Sequence, residues 1–270
     1  MTTLVPVSVV IPCCRCTETL ARAVESVARQ TRRPEELILI DDASADATPA
    51  MIQALAAQYS RGWIKYELLQ KNLGAASARN RGWEMATQPL IAFLDADDAW
   101  HPRKLEIQTD FMLAHPGVVL CGHGHRILEM GSAADWPVSA GPAQPIRKWP
   151  MFFSNRFVTP SVMLRRNAGD RFESGQRHME DHMLWMKLVA DGAPAVKLSV
   201  DLVALYKRPF GDDGLSGQTL QMELGELNNY RRLYRSGRLS GLQFAGFYVF
   251  SCLKFARRLL LIAVRRQRSR

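Results

Sequence analysis

The sequence lacks the features that settle function most quickly. No Gly-x-x-x-x-Gly-Lys-Ser/Thr run occurs in its 270 residues, which excludes a P-loop nucleotide site. No Gly-x-Gly-x-x-Gly follows the first apolar run, which counts against a dinucleotide fingerprint. Cysteine is scarce and odd in number: Cys13, Cys14, Cys16, Cys121 and Cys252. The cluster Cys13-Cys14-x-Cys16 has no second cluster to complete a zinc site, and no disulfide framework is legible, so a reducing compartment is the simplest setting. No apolar run reaches the ~20 residues of a membrane span. Met1-Thr2-Thr3 opens no basic-then-apolar leader, so a cytoplasmic location is expected. Internal repeats and low-complexity segments are also missing.

Acidic residues stop at Glu226. From Leu227 to Arg270 there are eleven Lys or Arg and no Asp or Glu. The whole chain is +9, so residues 1–226 carry 24 basic against 26 acidic groups, a net −2. That split argues against a nucleic-acid binder, whose folded domain would itself be basic. After Ser216, Leu220, Leu224, Leu227 and Leu233 mark a helix, and Phe244 to Leu253 is apolar. On a second helix Lys254, Arg257, Arg258 and Arg265 gather near one face, with Phe250, Leu253, Leu260 and Val264 largely elsewhere. Such a helix suits an anionic membrane surface; the alternative is a helix packed on the body with a solvated basic face. A domain over 1–216 and a helical, basic, amphipathic tail over 217–270 are expected.

The body alternates. Val7 to Ile11, ended by Pro12, reads as a strand, and Leu20, Ala23, Val24 and Val27 recur at helical spacing. Leu37 to Ile40 is a second strand, Asp46 can cap a helix with Pro49 in its first turn, Trp63 to Leu69 is a third strand, Ala75 to Met85 a helix, and Leu90 to Leu94 a fourth strand. Strand, helix, strand, helix implies an α/β fold with a mostly parallel sheet flanked by helices.

Two of these strands run directly into acids: Asp41-Asp42, and Asp95-Ala96-Asp97-Asp98. Strand ends in a parallel sheet share one edge, where open α/β sheets bind ligands. Three anions within four residues stay ionised together most easily when a cation holds them, and hard oxygen donors suit Mg²⁺ or Mn²⁺, which usually also bind substrate phosphate. One Asp explains a helix cap and three do not.

With these residues in view, the chain resembles family 2 glycosyltransferases. The resemblance lies in Val9-Val10-Ile11-Pro12, Gln30-Thr31, Ile40-Asp41-Asp42-Ala43-Ser44, Asn72-Leu73-Gly74, Ala78-Arg79-Asn80-x-Gly82, Phe93 to Asp98, Glu180-Asp181 before an apolar helix, and Tyr206-Lys207-Arg208 with Leu215-Ser216. It implies a GT-A (Rossmann-like) fold and transfer from a nucleotide-diphosphate sugar, most commonly a UDP-sugar. Carried over, Asp42 contacts the nucleotide base; Pro12, Arg79, Asp95 and Asp97 line the nucleotide-sugar site; Asp97 and Asp98 hold Mn²⁺ or Mg²⁺; and Asp181, supported by Glu180, is the general base. A hydroxyl acceptor needs such a base, and attack opposite the diphosphate inverts the anomeric centre. The implied acceptor is a glycan or a lipid-linked sugar, at the inner face of a bacterial membrane. The alternatives are a polyprenyl-phosphate sugar synthase and a catalytically silent membrane-associated module.

Bland readings stand beside these. Asp42 suits a turn, Arg79 could pair with Glu84, and Glu180-Asp181 could merely cap a helix. His123 and His125 could be metal ligands or partly buried polar residues; His178 and His182 could touch the acceptor; Trp136, Trp149 and Trp185 could stack on sugars, with core packing the more natural job for Trp185. The chain departs from the family at Cys14 and Arg15, where an aromatic residue and Asn are usual, and at Arg208-Pro209, where a His is common; Arg208 could supply charge to the diphosphate instead.

Overall fold

A computed structural model describes residues 3–139, 141–206 and 215–268. Its first half follows the expected alternation: β1 (Leu4–Cys13), α1 (Leu20–Ala28), β2 (Arg33–Asp41), α2 (Thr48–Gln58), β3 (Ile64–Leu68), α3 (Ala75–Met85) and β4 (Leu90–Phe93). There follow β5 (Ala99–Trp100), α4 (Lys104–Ala114), β6 (Leu120–Leu128), β7 (Ala143–Ile146), α5 (Lys148–Phe153), a 3-10 turn (Thr159–Ser161), β8 (Met163–Arg165), α6 (Glu180–Ala190), β9 (Ala195–Tyr206), α7 (Leu215–Arg235) and α8 (Gly241–Arg268).

The nine strands form one sheet in the order β3-β2-β1-β4-β8-β6-β9-β5, with β7 also on β9. β3, β2, β1 and β4 are mutually parallel; β8 runs antiparallel between β4 and β6, and β6 and β9 are parallel again. Both faces are covered, which is why the strands read as continuous apolar runs and not as alternation. Val7, Val9 and Ile11 of β1 join one core with α1, while Val10 joins the other with Trp83 of α3 and Trp185 of α6. A Cβ on Gly82 would lie 2.3 Å from a Val10 methyl, so glycine lets α3 close onto β1.

β1 does not end at Pro12. It continues to Cys13, with Pro12 in register with Ile40 of β2. Pairing with β4 ends at Val10, opposite Phe93, where the Val10 carbonyl accepts the Leu94 N–H at 3.0 Å, so the missing N–H of Pro12 leaves no ladder bond unmade on that side. The N-cap of α2 is Ala47 and not Asp46, which sits one residue earlier with its Oδ1 accepting the Thr48 N–H at 3.1 Å.

α7 and the start of α8 complete the second core. Tyr230 and Leu233 are fully buried there and Phe247 is nearly so. Lys254 is not part of a solvated basic face: it pairs with the buried Glu226 of α7 at 2.5 Å. Past it, Arg257 and Arg258 are exposed, as are Leu259, Leu260 and Leu261. Among the described residues no helix is long and apolar enough to cross a membrane. Arg208 lies outside the described residues, as do the side chains of Val264 and Arg265.

Candidate active site

The parallel order brings the ends of β1, β2 and β4 to one edge. Here the backbone departs from ordinary geometry: Arg15 after β1, Ala43 after β2 and Met179 before α6 have φ of +50°, +54° and +59°. Left-handed conformations outside glycine cluster where surrounding structure enforces them for a purpose. Asp42, buried, accepts the Leu73 N–H at 2.7 Å and the Gly74 N–H at 2.8 Å, one on each oxygen. Gly74 opens α3 at φ +88°, a conformation that suits glycine. The carboxylate assigned to the nucleotide base is thus also the clamp that ties the start of α3 to the end of β2. Asp41 beside it accepts the Ser44 N–H on Oδ2 and has a buried Oδ1 without a partner among the described residues. Pro12 is half-buried at the same edge, and the exposed Cys14 accepts a bond from Asn72 at 3.5 Å.

Beyond β4 the chain turns, the Asp98 N–H donating to the Asp95 carbonyl at 3.1 Å. Asp97 is exposed and Asp98 buried. Burial, then Asp95 and Asp97, push the Asp98 carboxyl up to about 8, even though the Tyr206 backbone hydrogen-bonds it. Asp97 is raised less, by desolvation and then by Asp95. Arg22 of α1 stacks 3.9 Å over the Tyr206 ring and donates to the Asp97 carbonyl, tying β9 to this turn.

Among the described residues no three His, Cys, Asp or Glu side chains form a ready metal cage. A divalent ion held by one or two carboxylates and substrate phosphates needs none. The donor set fits: Asp97 and Asp98 offer hard oxygens, and the burial and mutual repulsion that raise their carboxyls are what a bound cation would offset.

Arg79 is the hub. It is buried, with Nη2 donating to Asp95 at 2.7 Å and Nη1 to Glu180 at 2.9 Å, while Nε has no partner among the described residues. Burial opposes its charge, but Asp95 and Glu180 outweigh burial and hold it charged. It does not pair with Glu84; that partner belongs to Arg81, at 2.9 Å. One guanidinium therefore spans the strand-end acids and the acids opening α6.

Asp181 is scaffolded more closely than its neighbour. Oδ2 accepts from Asn155 at 3.0 Å and from Thr159 at 3.3 Å, and Oδ1 accepts the His182 N–H at 2.6 Å. Desolvation nevertheless raises its carboxyl, as it does that of Glu180. A raised carboxylate held in place suits proton abstraction. The turn before it is fixed from α7: the fully buried Asn229 donates to the Met179 carbonyl at 2.9 Å and accepts from Gln176 at 2.7 Å, and Gln176 donates to the His178 carbonyl at 2.9 Å. A Cβ on Gly225 would sit 2.9 Å from that carbonyl, so glycine allows the approach.

Several expected contacts do not form. His182 is fully buried and bonds the Met151 carbonyl at 2.7 Å, so it does not face an acceptor. His123 is buried, pushed down to about 3 by burial and then by Lys104, while His125 is exposed across two register shifts in β6, so the two do not share a metal. Trp185 is core; Trp136 donates to the Asp201 carbonyl at 3.1 Å; Trp149 remains exposed. Asn155, Thr159, Arg22 and Asn229 were not legible as site residues, because each acts through a contact made across many residues of sequence.

Comparison with known proteins gives the family and the fold. The profile of Glycosyl transferase family 2 matches residues 8–170. The chain is 30% identical over 185 residues to the UDP-Glc:alpha-D-GlcNAc-diphosphoundecaprenol beta-1,3-glucosyltransferase WfgD of Escherichia coli, covering 68% of this chain and 70% of that one. It is 29% identical over 192 residues to the amylovoran biosynthesis glycosyltransferase AmsE of Erwinia amylovora, covering 67% and 68%. Its fold is like that of the mannosyltransferase PcManGT from Pyrobaculum calidifontis, solved with GDP-Man and Mn²⁺, at a TM-score of 0.67 and 15% identity over 96% of this chain and 75% of that one. The fold is therefore GT-A, and the chain belongs to glycosyl transferase family 2 and is a glycosyltransferase.

Proposed function

We propose that the chain transfers a sugar, with inversion, from a nucleotide-diphosphate donor to a hydroxyl of a glycan or lipid-linked acceptor in bacterial polysaccharide assembly. UDP is the carrier that WfgD's name supports. The observation that carries the reading is the Arg79 bridge, which sets Asp95, Asp97 and Asp98 on one side and Glu180 with Asp181 on the other. Asp97 and Asp98 would hold a Mn²⁺ or Mg²⁺ ion, which when bound neutralises charge building on the departing diphosphate. Asp95 and Arg79 orient the donor, with Pro12 and Asp42 at the nucleotide end. Asp181 takes the acceptor's proton at a carboxylate oxygen, while Asn155 and Thr159 keep that oxygen aimed. A phosphate acceptor would need no base, so a scaffolded, raised Asp181 favours a hydroxyl over the polyprenyl-phosphate alternative.

The same reading places the chain on the cytoplasmic face of the membrane. On α8 the exposed Leu242, Val249, Leu253 and Leu260 fall within one helical stripe, and from 227 onward the sequence carries no acid. The test is Asp181→Asn beside Asp97→Asn. Asp181→Asn should lose about 10²-fold or more in turnover and still bind UDP with Mn²⁺. Asp97→Asn should lose metal-dependent UDP binding itself, read as thermal stabilisation. Full turnover in Asp181→Asn would remove the base assignment, and no stabilisation of the wild type by any nucleotide would favour the silent module.

A further inference from the structure

Apart from the acid edge, a shallow groove of about 510 Å³ opens between β7, the start of α5 and the first half of β9. Its walls hold three cations, Arg147, Arg156 and Lys197, and no Asp or Glu. Among the described residues none of the three forms an ion pair. Lys197 donates to the Arg156 carbonyl at 3.0 Å, and Arg156 Nε donates to the Pro150 carbonyl at 3.1 Å. These bonds hold both side chains along the groove and leave the outer guanidinium nitrogens of Arg156 available. Burial lowers Lys197 and the charge of Arg156 lowers it further, while the pull of Asp201 is weaker than either. Cations gathered without a balancing acid are completed by an anion with several oxygens, and arginine forks match phosphate.

Two neighbours say which phosphate. On one side Asn155, the residue before Arg156, donates to Asp181, so consecutive residues serve the base and the groove. On the other side α5 presents Trp149 and Phe153, 44% and 43% exposed. Phe153 packs edge-on against Phe250 of α8 at 4.9 Å, and Leu253 beyond it is 65% exposed. A cationic groove thus passes directly into an exposed apolar ridge, the pattern of an amphiphile with a charged head.

We propose that Arg147, Arg156 and Lys197 bind the diphosphate of a lipid-linked acceptor whose hydrocarbon chain follows Trp149, Phe153 and Phe250 and whose sugar reaches Asp181. The sugar's place rests on the transfer reading above; the diphosphate and chain contacts do not, and they are measurable without turnover. The probes are farnesyl diphosphate and inorganic pyrophosphate, titrated calorimetrically into the full chain, with UDP plus Mn²⁺ titrated in parallel. Wild type should bind farnesyl diphosphate more tightly than pyrophosphate. Arg156→Gln with Lys197→Gln should weaken both by at least about tenfold, the loss of a charge-assisted contact. Trp149→Ala should weaken farnesyl diphosphate alone. Because these side chains are surface or half-buried, unchanged circular dichroism is expected, and the single Arg147→Gln variant at an exposed position repeats the measurement if the double variant misfolds. Farnesyl diphosphate bound equally by wild type and groove variants would overturn the proposal. Pyrophosphate bound as tightly as farnesyl diphosphate would overturn the lipid part and leave a free-phosphate site. Groove binding without UDP binding would instead count against the donor-site reading, so the two failures are distinguishable.

Discussion

Replacing Arg79 with methionine tests the hub directly. Methionine fills a comparable volume without charge, so the variant removes the cation and leaves Glu180 and Asp95 facing one another. The side chains of Glu180 and Asp95 are 14% and 30% exposed. Removing one partner of a buried pair typically costs about 3–5 kcal/mol, because the charge left behind is desolvated and unpaired. Asp95 recovers part of that from water, so the expected loss is about 3 kcal/mol, a sizeable share of the ~5–15 kcal/mol that holds a typical domain together. For a chain of this size that is roughly a 5 °C fall in melting temperature. The loss has a pH signature. Without Arg79 the Glu180 carboxyl, already raised by burial, rises further, so the folded state binds protons more tightly than the unfolded one. The penalty is therefore full above that raised value and fades as pH falls through it. Urea unfolding of wild type and variant at pH 7.5 and at pH 4.5 is the assay. Arg79→Lys, which keeps the charge but lacks the fork that reaches both acids, should fall between the two. A penalty below about 1 kcal/mol, or one equal at both pH values, would refute the reasoning.

Three further outcomes follow from the contacts. Asn155→Ala removes a bond that favours the charged form of Asp181, so the acid limb of a kcat/KM profile should move to higher pH; an unmoved limb would show that Asn155 does not serve the base. Asn229→Ala should lower kcat by about tenfold with donor KM unchanged, since it loosens the Met179 turn before Glu180 and leaves the donor side intact; a raised donor KM would contradict this. Lys104→Met should stabilise by about 1–3 kcal/mol, because among the described residues the fully buried amine has no hydrogen-bond partner, its contact being the Trp100 ring at 3.8 Å. Burial holds Lys104 well below the ordinary lysine range, so between that lowered value and about 10.4 the unfolded chain carries a proton that the folded chain lacks, and wild-type stability rises with pH. Unfolding curves across pH 6–9 should show this rise in the wild type and its loss in the variant.

The sequence by itself determined the α/β alternation, the edge of the sheet that carries the acids, and the family, because each is written in local pattern. Short continuous apolar runs and period-3.6 spacing locate strands and helices, and acids directly after Ile40 and Leu94 can only land at strand ends. The change of charge after Glu226 was legible in the same way, along the chain. Tertiary structure decided who pairs with whom. Arg79 could not be matched to Glu180 from spacing, since 101 residues separate them, and proximity made Glu84 the natural guess. His123 and His182 looked available as polar residues, yet packing buried both. Asn155, Thr159 and Asn229 carry no motif; they matter because the chain returns past Asp181 and Met179 from α5, the 3-10 turn and α7. Local preference acts over a few residues, whereas a buried charge or carbonyl takes whatever partner the packed fold brings within reach, and that choice is made by the whole sheet and its helices at once.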